Sequence, residues 1–242
     1  MPLAASQTII NQYCISKTQD IKPKTENPSP KTIVAKPQAA FILHPSYFLL
    51  PMLSSRFSDA LLYAAELHAA QQRKVSGEPY LAHLLGAASI VLDYGGNEDE
   101  AIAALLHDAI EDQGGPAARA EIQRRFGEQV AAIVEGCTDT DAFPKPPWRQ
   151  RKEAFLERLR AAPPSVRLVV AADKLHNLRA LTREYRRQGE SLWKHFQGGR
   201  EGTLWYHRFV VEILQTGGNA LLVEELQRTL EELERLVAEK SK

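Results

Sequence analysis

Leu105-Leu106-His107-Asp108-Ala109-Ile110-Glu111-Asp112 sets four acid–base or metal-capable side chains into an otherwise apolar run. The run belongs to a helical pattern that follows the cap-like Asn97, carries Ala101, Leu105, Leu106 and Ile110, and stops at Gly114-Gly115. On such a helix His107 and Glu111 stand four residues apart, as do Asp108 and Asp112, so the four form two neighbouring columns. One column end can hold a cation while the other positions water or substrate. Burying His107 and Asp108 beside Leu105, Leu106 and Ile110 is costly unless a partner, a metal above all, compensates them.

A second segment, Ala171-Ala172-Asp173-Lys174-Leu175-His176-Asn177, repeats the logic: Asp173 lies in an apolar helix, with Asn177 one turn later on the same face. Ligands from one helix joined by others elsewhere make a His/Asp site of mixed nitrogen and oxygen character. That donor set suits Mn2+, Fe2+ or Zn2+ better than Ca2+ or Mg2+.

Outward from these segments the pattern stays helical from Phe57 onward. Ser58 or Asp59 is the expected cap of a first helix carrying Leu61, Leu62, Ala65 and Leu67-His68, and a second spans 81–94. Beyond the central segment, Pro116 opens a helix with Ile122 and Phe126 on its apolar side, and 130–137 continues the bundle. Pro144, Pro146 and Pro147 mark a loop before a helix over 148–160. Further helices are expected over 166–183, 201–215 and 219–239. Period-two alternation is confined to 166–170, which reads as a short strand in isolation but extends as a buried helix through Ala171, Ala172, Lys174 and Leu175. The expected fold is all-α, one helical bundle domain over 52–242.

Residues 1–51 read differently. They hold half of the 14 prolines and sustain no period, which predicts a disordered leader, dispensable or preceding a true start at Met52. The most apolar stretch, 41–53, is short and broken by His44, Pro45, Ser46 and Pro51, so no membrane span is expected. The 30 basic and 30 acidic residues cancel, which leaves no global field for nucleic acid or an anionic membrane. Cys14 and Cys137 are two isolated thiols and no disulfide framework, which points to a reducing, cytoplasmic setting.

Three segments then follow one order: Arg73-Lys74-Val75-Ser76-Gly77-Glu78-Pro79-Tyr80-Leu81-Ala82-His83, the segment ending in Glu111-Asp112, and Ala172-Asp173-Lys174-Leu175-His176-Asn177-Leu178-Arg179. Together they resemble the HD-type hydrolase domain of the RelA/SpoT-type alarmone enzymes, above all the stand-alone small alarmone hydrolases. The resemblance spans roughly residues 56–215. It implies His83, His107, Asp108 and Asp173 as ligands of one Mn2+ ion, with Glu111 and Asp112 handling the attacking water. The implied substrate is (p)ppGpp, cleaved at its 3′-diphosphate to pyrophosphate and GDP or GTP. Arg73 and Lys74 match the family's basic pair at base and phosphates, and Tyr80 and Asn177 match positions at the pocket wall and ribose. Arg200 and Tyr206 resemble an arginine and tyrosine that close the pocket, and Lys145 is a diphosphate contact from a loop.

His68 reads as a packing or surface residue, and His176, His195 and His207 read as pocket rim or surface. Val223, Leu226, Leu230, Leu233 and Val237 keep a spacing that serves either a coiled-coil homodimer or packing onto the chain's own bundle. Two other functions stand beside the implied one: an HD phosphohydrolase for another nucleotide, and a nucleotide-sensing module without turnover. The segment 184–199 is richer in Arg, Gln and Gly than the family leads one to expect, which bears on substrate choice. Retention of both Glu111 and Asp112 argues against the sensor.

Overall fold

The computed structural model describes residues 53–142 and 144–240. Among them are ten α-helices: α1 (Ser55–Leu67), α2 (Leu81–Asp93), α3 (Glu98–Leu106), α4 (Ala109–Gln113), α5 (Pro116–Phe126), α6 (Glu128–Cys137), α7 (Trp148–Arg160), α8 (Pro164–Gln188), α9 (Gly199–Gln215) and α10 (Ala220–Lys240). A 3-10 segment, Gly189–His195, joins α8 to α9. The described residues contain no β-strand; the closest approach to one is a single antiparallel bridge between Gln72 and Pro79.

The ends of these helices follow from local chemistry. Asn97 caps α3 in a reciprocal box: its side chain accepts from the Glu100 amide at 3.0 Å, while the Glu100 carboxylate accepts from the Asn97 amide at 2.8 Å. Pro116 and Pro164 open α5 and α8, where a missing N–H costs nothing. The cap of α1 is Ser54, accepting from the Arg56 amide, and not Ser58 or Asp59, which lie inside the helix. The strand option for 166–170 is likewise overturned, because these residues are the first turns of α8.

α8 is the axis of the bundle. Val166 to Asp173 is buried on every side, with α2, α3, α6, α9 and α10 packed around the helix. Small side chains allow close approach on the neighbouring helices: Ala87 and Ala88 of α2 and Ala101, Ala103 and Ala104 of α3 are buried. Arg167 is buried too, and its guanidinium donates to the carbonyls of Arg160, Ala162 and Ile213 at 2.5, 2.9 and 3.3 Å. One cation thereby ties together the C-terminal ends of α7 and α9 through their carbonyls. The stripe Val223, Leu226, Leu230, Leu233 and Val237 is buried, and α10 packs on the chain's own α8 and α9.

One departure from the sequence expectation matters for function. The helix expected to run unbroken to Gly114 is interrupted at His107-Asp108, where α3 ends and α4 begins. Asp108 sits at φ −98°, ψ 0°, outside regular helical geometry. The expectations for residues 1–51 lie outside the described residues, and no helix among the described residues is long and apolar enough to cross a membrane.

Candidate active site

Consecutive residues of a regular helix point about 100° apart and do not face a common partner. The break between α3 and α4 removes that constraint, and His107 and Asp108 converge: Nε2 of His107 lies 3.1 Å from Oδ2 of Asp108. α2 brings His83, whose Nε2 is 3.3 Å from Nε2 of His107, 3.2 Å from Oδ1 of Asp173 and 3.8 Å from Oδ2 of Asp108. α8 brings Asp173, with Oδ1 3.6 Å from His107 Nε2. A metal about 2.0–2.2 Å from nitrogen and oxygen donors separates neighbouring donors by roughly 3.0–3.6 Å. His83, His107 and Asp108 set their donor atoms close enough together to hold one divalent ion, and Asp173 stands 3.2 and 3.6 Å from the two imidazoles, where its carboxylate could join them.

The donors are oriented for it. Nδ1 of His107 donates to the Ala104 carbonyl at 2.8 Å, which turns the lone pair of Nε2 inward. His83 directs Nδ1 outward to Nδ1 of His176 at 2.9 Å. The Tyr80 hydroxyl donates to Oδ2 of Asp108 at 2.5 Å, and burial together with that carboxylate pushes the phenol pKa upward, so it keeps its proton. The field at the centre favours a cation. Burial opposes charge on His107, yet Asp108 and Asp173 outweigh it and raise its pKa well above the ordinary value. Burial likewise opposes charge on Asp173, but Lys174 and His107 hold its carboxyl well below the usual range.

Tyr80, Asp108, Asp173 and Lys174 border a cavity of about 440 Å3. A turn after α1 delivers two basic residues to its wall: the Arg73 amide bonds the Glu78 carbonyl at 2.9 Å, and the Gly77 amide bonds the Arg73 carbonyl at 3.0 Å. Gly77 adopts φ +73°, which a side chain at this position would strain. Arg73 then donates to Oδ1 of Asn177 at 2.7 Å, and Nδ2 of Asn177 donates to Asp173. Glu111 and Asp112 line the same cavity from α4. Glu111 pairs with Lys145 at 2.9 Å, with Arg151 at 3.8 Å, and Asp112 accepts from Gln71 at 2.8 Å. Tyr206 lines the far side, with the ammonium of Lys152 4.8 Å from its ring centre and that of Lys174 at 5.6 Å.

Of the residues singled out from the sequence, His83, His107, Asp108, Asp173, Glu111, Asp112, Arg73, Lys74, Tyr80, Lys145, Asn177 and Tyr206 gather at this cluster and cavity. Arg200 does not. It pairs with Glu190 and Glu201 and borders a separate surface depression with Leu204, Arg208 and Val237. On the opposite side of the start of α9, Trp148 lies so close that a Cβ at Gly198 or Gly202 would meet its ring at 2.6 or 3.1 Å. Asn177 and Tyr80 do more than line a wall, since each is bonded to a carboxylate of the cluster.

Sequence reasoning gave no role to Asp139, Lys174 or Gln71. Asp139 is buried and holds Arg151 and, at 3.0 Å, Lys152; Lys174 lies 2.5 Å from Oδ2 of Asp173. An acid just beyond the C-terminus of the apolar α6 is unfavourable for the helix dipole, and that was the available signal for Asp139. His207, expected at the pocket rim or the surface, lines the cavity and is buried in its wall, with Nδ1 donating to the Thr203 carbonyl at 2.9 Å and Nε2 without a partner among the described residues.

Burial lowers the His207 pKa from its ordinary 6.5 to about 4. The unfolded chain therefore binds a proton in this window that the folded chain refuses, and stability falls as pH falls from 6.5 towards 4. The full difference corresponds to about 3 kcal/mol. His207→Phe, which keeps ring volume and removes titration, should flatten this part of the acid profile in urea melts at pH 7 and pH 4.5. An unchanged profile would show that His207 is not the source.

An all-helical bundle that sets metal-capable imidazoles and carboxylates beside a cavity lined with basic residues is suited to hydrolysis of a phosphate ester. The chain belongs to the HD-domain family, which matches residues 60–204. A Synechocystis sp. protein named a probable guanosine-3′,5′-bis(diphosphate) 3′-pyrophosphohydrolase is 38% identical over 125 residues, covering 50% of this chain and 16% of that protein. The Xenopus tropicalis MESH1 protein, named a guanosine-3′,5′-bis(diphosphate) 3′-pyrophosphohydrolase, is 41% identical over 128 residues, covering 52% of this chain and 69% of its own length. A solved structure described as a metazoan ortholog of SpoT that hydrolyses ppGpp superposes with a TM-score of 0.64 at 28% identity, covering 76% of this chain and 97% of that one.

Proposed function

We propose that the domain beginning near residue 52 is a guanosine-3′,5′-bis(diphosphate) 3′-pyrophosphohydrolase that releases pyrophosphate from (p)ppGpp. The observation that carries this reading is that Glu111 and Asp112 line one cavity with Asp108 and Asp173, the two carboxylates that converge with His83 and His107. These four hold a divalent ion, Mn2+ by the mixed nitrogen and oxygen donor set. Such an ion, when bound, offsets phosphate charge and lowers the pKa of a nearby water.

The chain's own groups do the rest. Glu111 and Asp112 align a water and take its proton, so that its oxygen bonds to the 3′ phosphorus as the bond from that phosphorus to ribose O3′ breaks. The electron pair stays on O3′, which takes up a proton, and pyrophosphate leaves intact. Arg73, Lys74, Lys145, Arg151 and Lys152 present donors suited to a polyanionic nucleotide. Lys145 exchanges its carboxylate partner Glu111 for a phosphate, which frees Glu111 for the water. The two isolated cysteines support a reducing, cytoplasmic setting.

The separation of Arg200 from the cavity favours a second reading, the same chemistry on another nucleotide. Incubating Mn2+-loaded protein with ppGpp, pppGpp and common nucleotides separates the two. Pyrophosphate and GDP from ppGpp are expected; orthophosphate as the first product, or turnover of another nucleotide alone, overturns the alarmone assignment.

A further inference from the structure

The metal-facing side of His83 is accounted for by the cluster, but its outer side meets a residue that the reaction does not use. α2 and α8 lie against each other with two matched rungs. On α2, His83 and Gly86 are three residues apart; on α8, Asp173 and His176 are three residues apart. The inner rung is His83 to Asp173 at 3.2 Å. In the outer rung, His176 inserts its ring between His83 and Gly86: its Nδ1 edge is 2.9 Å from His83 Nδ1, and its opposite edge lies against Gly86.

Two details give this arrangement chemical content. First, only one proton can lie between two imidazole nitrogens at 2.9 Å, so one ring donates and the other accepts. For neutral His83 to offer the Nε2 lone pair to the cluster, its proton must sit on Nδ1, and His176 must be the acceptor. His107 obtains the same tautomer from the Ala104 carbonyl, a fixed acceptor. His83 has no such carbonyl partner, and His176 stands in its place. Second, the space for His176 exists only because residue 86 is glycine. A Cβ there would lie 2.2 Å from Cδ2 and 2.3 Å from Nε2 of His176. A glycine within a helix is unfavourable in itself, so its presence in the middle of α2 is explained by what it admits.

We infer that His176, admitted by Gly86, is a positioning residue that sets the tautomer and ring orientation of His83 and thereby tunes the affinity of the metal centre. It rests on the metal-centre reading given above. An outer partner of a metal-bound histidine changes affinity typically 10–100-fold when removed.

The test is Mn2+ affinity, measured by calorimetric titration of the full metal-free chain without substrate. His176→Phe keeps an aromatic ring in the same berth but has no acceptor; a 10–100-fold weaker Kd with a metal-free melting temperature near wild type is expected. His176→Gln restores a carbonyl acceptor and should recover part of the affinity. Gly86→Ala retains His176 but evicts it from the berth, and should weaken Mn2+ binding in the same range. In a His176→Ala background the same Gly86→Ala change should have little effect, because the added methyl then has room. A wild-type Kd in His176→Phe overturns the proposal alone and leaves the hydrolase reading intact. Absence of Mn2+ binding by the wild type overturns the metal-centre reading and the proposal with it.

Discussion

Asp108→Ala and His83→Ala are each expected to reduce metal content from stoichiometric to none and activity to below detection. Each side chain contributes one of four donor atoms that converge from three helices, and the three that remain cannot enclose an ion with the same charge balance. Asp108 carries further weight because the Tyr80 hydroxyl donates to it at 2.5 Å. Removing the acceptor strands that hydroxyl, at a cost of about 1–3 kcal/mol in the metal-free protein. Asp108 is also held in its charged form by His107, which outweighs burial and the repulsion from Asp173, so its loss costs the metal-free protein that attraction as well. The melting temperature of the metal-free variant therefore has to be read beside its metal content. Elemental analysis after dialysis, with a melting curve on the same sample, is the check. Metal retained at stoichiometry in Asp108→Ala would show that the ligand assignment is wrong.

Glu111→Gln should behave in the opposite way, with metal retained and turnover lost. The amide is nearly isosteric and removes only the charge and the basic oxygen. Loss of a positioned general base costs on the order of 10²–10⁴ in rate. Glu111 is outside the four-donor cluster and is paired with Lys145 at 2.9 Å, so its replacement leaves the donors in place. It also releases Lys145 from its ion pair, so KM should stay near wild type or fall slightly, and the loss should appear in kcat. Metal loss in Glu111→Gln would move that residue into the coordination shell.

The helical frame was legible because apolar residues recur with one period and the breaks carry their own signals: Asn97 with Glu100, Pro116, and Pro164. The capping of α1 was not, since Ser54, Ser55, Ser58 and Asp59 are all competent caps and only packing selects among them. Arg200 was placed by its position ahead of Tyr206. The side of a helix that a residue occupies depends on where that helix starts, and Gly199 begins α9 with Arg200 turned towards Glu190 and Glu201.

The sequence by itself determined the class of fold and the identities of the metal-capable residues, because both are properties of local pattern and side-chain chemistry. Tertiary structure alone decided how they meet. Neighbours on an unbroken helix diverge, and only the interruption between Leu106 and Ala109 lets His107 and Asp108 point to one place. Nothing in the motif containing Asn177 shows that its amide, one turn beyond Asp173, would also reach Arg73, 104 positions away. The role of Gly86 was equally hidden: a missing Cβ acquires meaning only when another helix brings an imidazole 2.2 Å from where it would stand.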